Sequence, residues 1–503
     1  MKKINLSRSQ VEDIFLIGLL LFAPLALASV HTWAYCTIAI VALLLFNLHF
    51  LGNLSGTQHP APSTQLLGVL RVPISIGALI FLIINLLYLV PFPAAVIKLL
   101  SPSAYNLRET YMLDPAKWQT LSIYPRDTVG YLLKIVSYIM VFLVVVSKIW
   151  NNTQNNSNDH SSPIAHHTSH AYIQLGVLCS ILSILFHSLC DFNLHIPANA
   201  LYFTVMVAIA VGLHTKNEQR ATNNDFVNLL TNSIIIIGFA IAVFGIIQRL
   251  SYNGKIYWLI EKAGSHFGPY VNYDHYAGYM EMCIFLAVSF FIGKISSSSV
   301  VRIKKLKERI IWLSSREANT TLIYLFLAIV MATALFMTTS RGGIMSFLAA
   351  LAVFYFTCVI SATRRTRNRM LLASVLLIIL AIVMFAWVGP EETIGKFKVL
   401  QAMIKTFIKE RAILSEIRPH MWKDTFNLIK DYPVFGTGLG TYVSAFTKYR
   451  TFSAHYGLLR YAHNDYLQLI AEIGIFGGSF ILAFIVWYIR RFRECFRRLK
   501  EIK

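Results

Sequence analysis

The chain has 503 residues, 56% of them hydrophobic and only 14% charged, where soluble domains carry about 25% charged residues. Its formal net charge is +21, but in a membrane protein Lys and Arg collect in cytoplasmic loops, so the excess needs no nucleic-acid partner. The six Cys lie in apolar runs or, for Cys495, in a basic tail, which argues against a disulfide framework.

Apolar runs of roughly 18–22 residues recur, the length that crosses a hydrocarbon core of about 30 Å. They predict an all-α polytopic membrane protein of about twelve spans, at 13–30, 33–51, 73–90, 130–149, 172–190, 198–214, 230–248, 276–293, 321–338, 343–361, 371–389 and 466–489. The opening MKKINLSRSQ leads straight into an apolar run with no small-residue cleavage site, and is expected to start the first membrane helix. Residues 1–150 read as N-terminal transmembrane helices with an outer loop at 91–129, Pro-rich and holding short helical pieces. The polar, low-complexity stretch 151–171 is expected to be a disordered cytoplasmic loop, and 172–229 a helical pair. Residues 230–489 hold the remaining spans, and 490–503 read as a basic cytoplasmic tail.

Basic clusters orient the spans. The N-terminal KK, "RIKKLKERI" (302–310), "RRTRNR" (364–369) and "RRFRECFRRLK" (490–500) fall on one side if all twelve spans are real. That side is predicted to be the cytoplasm, with both termini inside. Three stretches then face outward: 91–129, 249–275 and 390–465. The last opens with an amphipathic pattern expected to lie on the membrane surface. "PHMWKDTFNLIK" (419–430) repeats the pattern, and "DYPVFGTGLGTY" then breaks the helix.

Two residues stand out on the outer side. Arg341, in "MTTSRGG", is an arginine at a membrane boundary whose planar fork of donors matches phosphate oxygens. Snorkelling anchorage is the plainer reading of such an arginine. Gly342 and Gly343 would let the backbone come close to a ligand. The loop 390–465 holds 11 Lys/Arg against 7 Asp/Glu, opposite to the inside-positive bias, and an anionic partner outside would account for that. His463, in "YAHNDYLQLIAEIGIFGG", can take and give a proton near neutral pH; an interfacial histidine bonded to a loop carbonyl is the alternative. Asp465 and Glu472 are near enough in sequence to orient an imidazole, or to serve as a helix cap and a satisfied polar group. No cluster with metal-ligand spacing is visible on the outer side, so no metal and no cofactor are expected.

"RYAHNDYLQLIAEIGIFGG" (460–478) resembles the signature of the O-antigen ligase and O-antigen polymerase superfamily. "FGPYVNYDHYAGYMEM" (267–282), "TTSRGG" (338–343) and "RPHMWKDTFNLIKDYPVFGTGLGTY" (418–442) are similar to its other elements, in the same order. The resemblance implies about twelve helices with a large periplasmic loop, and a metal-independent, inverting transfer of glycan from undecaprenyl diphosphate. It implies His463 as general base and Arg341 as diphosphate clamp, with Arg418 and Arg249 as further diphosphate-binding arginines. Asp465, Glu472, Asn464, Asn272 and His275 are the supporting residues. Two departures stand out. Asn272-Tyr273-Asp274-His275 occupies a place where relatives carry Asn-Arg-Asn-His, so another residue must bring that charge. "HSLCDFNLHIPANALYF" (187–203) resembles a stretch that follows the histidine motif in the family, whereas here it precedes it.

The implied protein is an inner-membrane enzyme acting at the periplasmic face, with the lipid bilayer, an undecaprenyl-diphosphate-linked glycan donor and a lipid A-core or other glycan acceptor as partners. A polysaccharide polymerase or a protein O-oligosaccharyltransferase of the same superfamily shares the donor and differs in acceptor. A transporter or flippase without chemistry would predict internal repeats and broken helices at the bilayer midplane; no repeat is visible and the polar residues gather at the outer rim.

Overall fold

A computed structural model describes residues 6–50, 68–70, 73–111, 117–155, 163–213, 224–261, 266–298, 305–361, 417–452 and 459–501, with isolated helical positions between 367 and 383. In chain order the helices are α1 (Arg8–Leu25), α2 (Thr32–Phe50), α3 (Pro73–Leu87), α4 (Ala94–Leu100), α5 (Pro102–Tyr111), α6 (Pro125–Asn155), α7 (Pro163–His187), α8 (Pro197–Gly212), α9 (Asp225–Leu250) and α10 (Tyr273–Ser297). They continue with α11 (Leu306–Leu313), α12 (Arg316–Met337), α13 (Arg341–Ser361), α14 (Ile417–Asp431), α15 (Tyr442–Phe446) and α16 (Asp465–Glu501). Two short antiparallel ribbons, Pro91–Pro93 with Trp118–Thr120 and Lys255–Ile256 with Ile260–Glu261, are the only strands among the described residues.

Among the described residues, eight helices are long and apolar enough to cross a membrane: α2, α6, α7, α9, α10, α12, α13 and α16. The chain is therefore a multi-pass, helical membrane protein. Two other expected spans, α3 and α8, are apolar but shorter, at 15 and 16 residues. The expected first span appears as α1, whose first turns carry Arg8, Glu12 and Asp13. The expected span 371–389 and the amphipathic start of the 390–465 loop lie outside the described residues, apart from isolated positions. The polar stretch after residue 150 is shorter than expected, because α6 continues to Asn155 and α7 opens at Pro163; residues 156–162 are not described.

The bundle is built around α10, whose residues from His275 to Gly293 are all buried. A helix apolar on every side belongs inside a bundle. It packs along α7 and α12, while α7 also meets α8 and α13, and α6 meets α2 and α8. Small and hydroxyl side chains let these helices close on one another; Ser180 Oγ of α7, for example, donates to the Met282 carbonyl of α10 at 2.7 Å. A buried charge knot ties α1, α2 and α6. Glu12 lies 2.9 Å from His49 and 3.2 Å from Lys148, and Lys148 also reaches Asp13 at 2.7 Å.

At the other end of α6, the stretch 432–442 threads past a break in α16. Gly474 sits there at φ 62°, ψ −144°, and a Cβ on it would meet the Val434 carbonyl oxygen at 2.2 Å. The break frees carbonyls of α16 for the passing strand: Thr437 N donates to Ala471 O and Gly438 N to Glu472 O. A side chain at Gly474 would end this crossing, which only glycine allows without strain.

Candidate active site

The polar elements of three helices meet at the start of α16. Residues 188–196, the turn between α7 and α8, press directly against the histidine motif. Asn464 caps α16 by accepting from Leu467 N at 3.0 Å, and its Nδ2 donates to the Leu189 carbonyl at 2.9 Å. Asp465 N donates to the Ser188 carbonyl at 3.0 Å. Thus the 187–203 segment, although displaced in sequence relative to the family pattern, is brought to the histidine by packing.

His463 Nδ1 lies 3.1 Å from Asp191 Oδ1. Asp191 is all but sealed, with 2% of its side chain exposed, while His463 keeps 29%; the imidazole is the member of the pair that a substrate can reach. The backbone at His463 is left-handed, with φ 47°, a conformation non-glycine residues adopt at a cost of order 1–3 kcal/mol and one that clusters at functional sites. His275 Nε2 lies 3.6 Å from the other oxygen of Asp191. Phe192 fills the angle between the rings, edge-on to His275 at 4.5 Å and to His463 at 4.7 Å. Burial pushes the Asp191 pKa up, but the imidazoles of His275, His463 and His187 outweigh it and hold the carboxylate well below the ordinary range. A buried carboxylate that stays ionised fixes the imidazole tautomer: Nδ1 carries the hydrogen and Nε2 is left free to accept one.

The expected orienters play other parts. Asp465 accepts from Leu194 N at 3.1 Å and pairs with His195 Nδ1 at 2.6 Å, so it orients His195 and not His463. Glu472 accepts from Gly440 N, Tyr442 N and Gln468 Nε2 at 2.8, 3.3 and 3.1 Å. It is a satisfied polar group that anchors the crossing stretch. Asn272 caps α10, accepting from Asp274 N at 2.9 Å.

Arg341 is the first residue of α13, exposed and without an ion pair among the described residues. Ser340 before it donates to Asp274 Oδ1 at 2.6 Å and accepts from Gly343 N at 3.1 Å, capping the helix. The two glycines that follow serve packing, and this corrects the expectation that they admit a ligand. A Cβ on Gly342 would lie 3.0 Å from His187 Nε2, and one on Gly343 would lie 2.6 Å from Ala277 Cβ. Under them, His187 Nδ1 pairs with the wholly buried Glu281 at 2.9 Å, and Ser183 donates to the same carboxylate at 2.6 Å.

Arg341 and Arg418, the latter on α14, both act electrostatically on Tyr273, and Arg418 also on Cys190 and Asp274. Tyr273 is the position where the family pattern has an arginine, and Arg341 and Arg418 are the cations whose field reaches it. Arg249, in the last turn of α9, lies over the Tyr252 ring at 5.8 Å, in the group that includes His266.

Sequence reading missed Asp191, His187, His195 and Glu281. The signal for the first three was the run of polar residues in 187–203 between two apolar spans; Glu281 stands alone among apolar residues of α10. Sequence reading also found no cluster of metal-ligand spacing, yet the fold assembles one. His187, Asp191 and Asp274 offer ligand atoms within 4.8 Å of one another. With His187 Nδ1 held by Glu281, its Nε2 has the orientation of a histidine ligand backed by a carboxylate.

No curated protein and no solved structure matches the chain. Residues 326–484 match the family model described as O-antigen ligase. The matched segment spans α13, α14 and the His463 motif, with Arg341, Arg418, Asp465 and Glu472 inside it, and it supports membership of the O-antigen ligase and polymerase superfamily.

Proposed function

We propose that the protein is a bacterial inner-membrane glycosyltransferase that moves a glycan from undecaprenyl diphosphate to a hydroxyl of a lipid A-core acceptor at the periplasmic face. The observation that carries this reading is the hydrogen bond from His463 to the buried Asp191, with Arg341 and Arg418 acting electrostatically on nearby Tyr273. The acceptor hydroxyl loses its proton to His463 Nε2. Its oxygen bonds to the anomeric carbon of the donor glycan as the bond from that carbon to the diphosphate oxygen breaks. The electron pair leaves with the diphosphate, whose added charge Arg341 and Arg418 stabilise. A single displacement opposite the leaving group inverts the anomeric centre. The imidazolium left behind is stabilised by Asp191 and returns its proton to solvent through the exposed edge of the ring.

Two arginines supply the positive charge that a divalent cation would otherwise bring to a diphosphate, so the transfer needs no metal. Both termini are cytoplasmic in this reading, and the His463 end of the bundle is periplasmic, at the height where the diphosphate of a membrane-anchored donor sits.

His463→Ala tests the proposal. Transfer per mole of folded, reconstituted protein is expected to fall about 10²–10⁴-fold, with insertion and donor binding kept. Wild-type turnover in that variant across pH 6–9 would remove His463 as the base.

A further inference from the structure

A further cation stands near His195, on α6. Lys134 lies nine residues into α6, about 13 Å along the helix from its start. Its Nζ sits between two rings, 4.5 Å from the centroid of Tyr131 and 4.6 Å from that of Tyr35 on α2. The side chain is half-buried, so a ligand can reach it. Among the described residues no carboxylate lies within ion-pair distance. The acid that acts on it, Glu472, is already committed to Gly440 N, Tyr442 N and Gln468, and the neighbouring His195 is paired with Asp465. An ionisable residue within a membrane span marks a substrate path more often than a structural contact. A lysine kept only for anchorage would turn its head outward to the interface; Lys134 turns it between helices.

A continuous wall of rings joins Lys134 to the histidine. Tyr131, under Lys134, meets His195 edge-on at 5.9 Å, and His195 meets Tyr461 at 5.4 Å. Tyr461 stacks on Phe192 at 4.1 Å and 14°, and Phe192 meets His463 edge-on at 4.7 Å. Arg341 and Arg418 act instead around Tyr273 and Asp274, on the Asp191 side. The site thus has two separate cationic neighbourhoods, one acting on Tyr273 and Asp274 and one on His195, and a reaction between two membrane-anchored glycans needs two.

Building on the glycosyltransferase reading, we infer that Lys134, with Tyr35 and Tyr131, holds a phosphate at the lipid end of the acceptor, and that the Tyr131–Tyr461–Phe192 wall carries the acceptor glycan from there to His463. A compact ammonium suits phosphate oxygens, and aromatic faces pack against the apolar C–H faces of sugars. The phosphate has two sources, lipid A-core or a second lipid-linked glycan diphosphate.

Binding decides it. The full chain carrying Arg341→Ala and Arg418→Ala, which silence the donor flank, is placed in phosphatidylcholine nanodiscs and titrated by native mass spectrometry. The probes are lipid A-core, its dephosphorylated form, undecaprenyl-diphosphate glycan and the neutral undecaprenol-linked glycan. One phosphorylated probe is expected to bind about tenfold more tightly than its neutral partner, and that pair identifies the source. Lys134→Met should erase the ratio and Lys134→Arg keep most of it; Lys134→Gln replaces the methionine variant if that one does not fold. Absence of a phosphate preference in both pairs, or a preference that survives loss of the lysine charge, overturns the inference. Because binding is read, a protein that transfers no glycan refutes the function above and leaves this result standing. Absence of a phosphate preference in the protein that keeps Lys134, with glycan transfer intact in the wild type, refutes only this inference.

Discussion

Asp191 Oδ1 and His463 Nδ1 lie 3.1 Å apart although 272 residues separate them in the chain. The carboxylate is buried and held well below its ordinary pKa by the imidazoles around it, so it fixes the neutral imidazole in the tautomer that leaves Nε2 free. Asp191→Asn keeps the shape and can donate from its amide nitrogen to Nδ1, which favours the tautomer that cannot act as base. Turnover is expected to fall by about 10²-fold or more, with the donor KM little changed and the pH profile displaced, because the imidazolium has lost its counter-charge. A structural role alone would lower stability and leave the pH profile of the folded fraction in place. Transfer rates across pH 6–9, normalised to folded protein, separate the two.

In the proposed transfer, what neutralises the leaving diphosphate is tested at Arg341 and by chelation together. Arg341→Lys keeps a charge and loses the two-pronged donor, and is expected to remain strongly impaired; Arg341→Ala should lose about 10²–10³ in rate. Exhaustive chelation should leave wild-type turnover unchanged. Loss on chelation with rescue by a divalent cation would instead assign the charge to the His187–Asp191–Asp274 cluster, and near-normal Arg341→Ala would make the arginine an anchor.

The His195–Asp465 pair carries a pH-dependent share of stability. Burial lowers the His195 pKa, but the hydrogen bond and charge of Asp465 outweigh it, and the net shift is upward from 6.5. A histidine whose pKa is higher folded than unfolded contributes stability that is complete below the unfolded value and lost as pH climbs through the folded one. Detergent-solubilised wild type should therefore lose Tm as pH rises above about 6.5. Asp465→Asn should lower Tm below that pH and flatten the curve above it; an unchanged slope in the variant would place the pH dependence elsewhere.

Sequence alone determined the membrane class, the position of most spans and the placing of Arg341 at a helix boundary, and it singled out the polar His463 motif at the mouth of a span. These are local properties: hydropathy over twenty residues sets which segments leave water, and a polar residue at the end of such a segment is conspicuous wherever the segment packs. The roles of the acids were decided only by tertiary structure. Asp465, two residues from His463, turns to Leu194 and His195 because it begins α16 and faces the turn before α8. Glu472 is drawn to the amides of Gly440 and Tyr442 because the break at Gly474 lets that stretch cross the helix. The acid that does reach His463 lies in the turn just after α7, and α7 is brought there by its packing along α10. Helix periodicity fixes which face of one helix a residue occupies, but not which other helix that face will meet; side-chain packing between helices decides that, and with it the partner of the histidine.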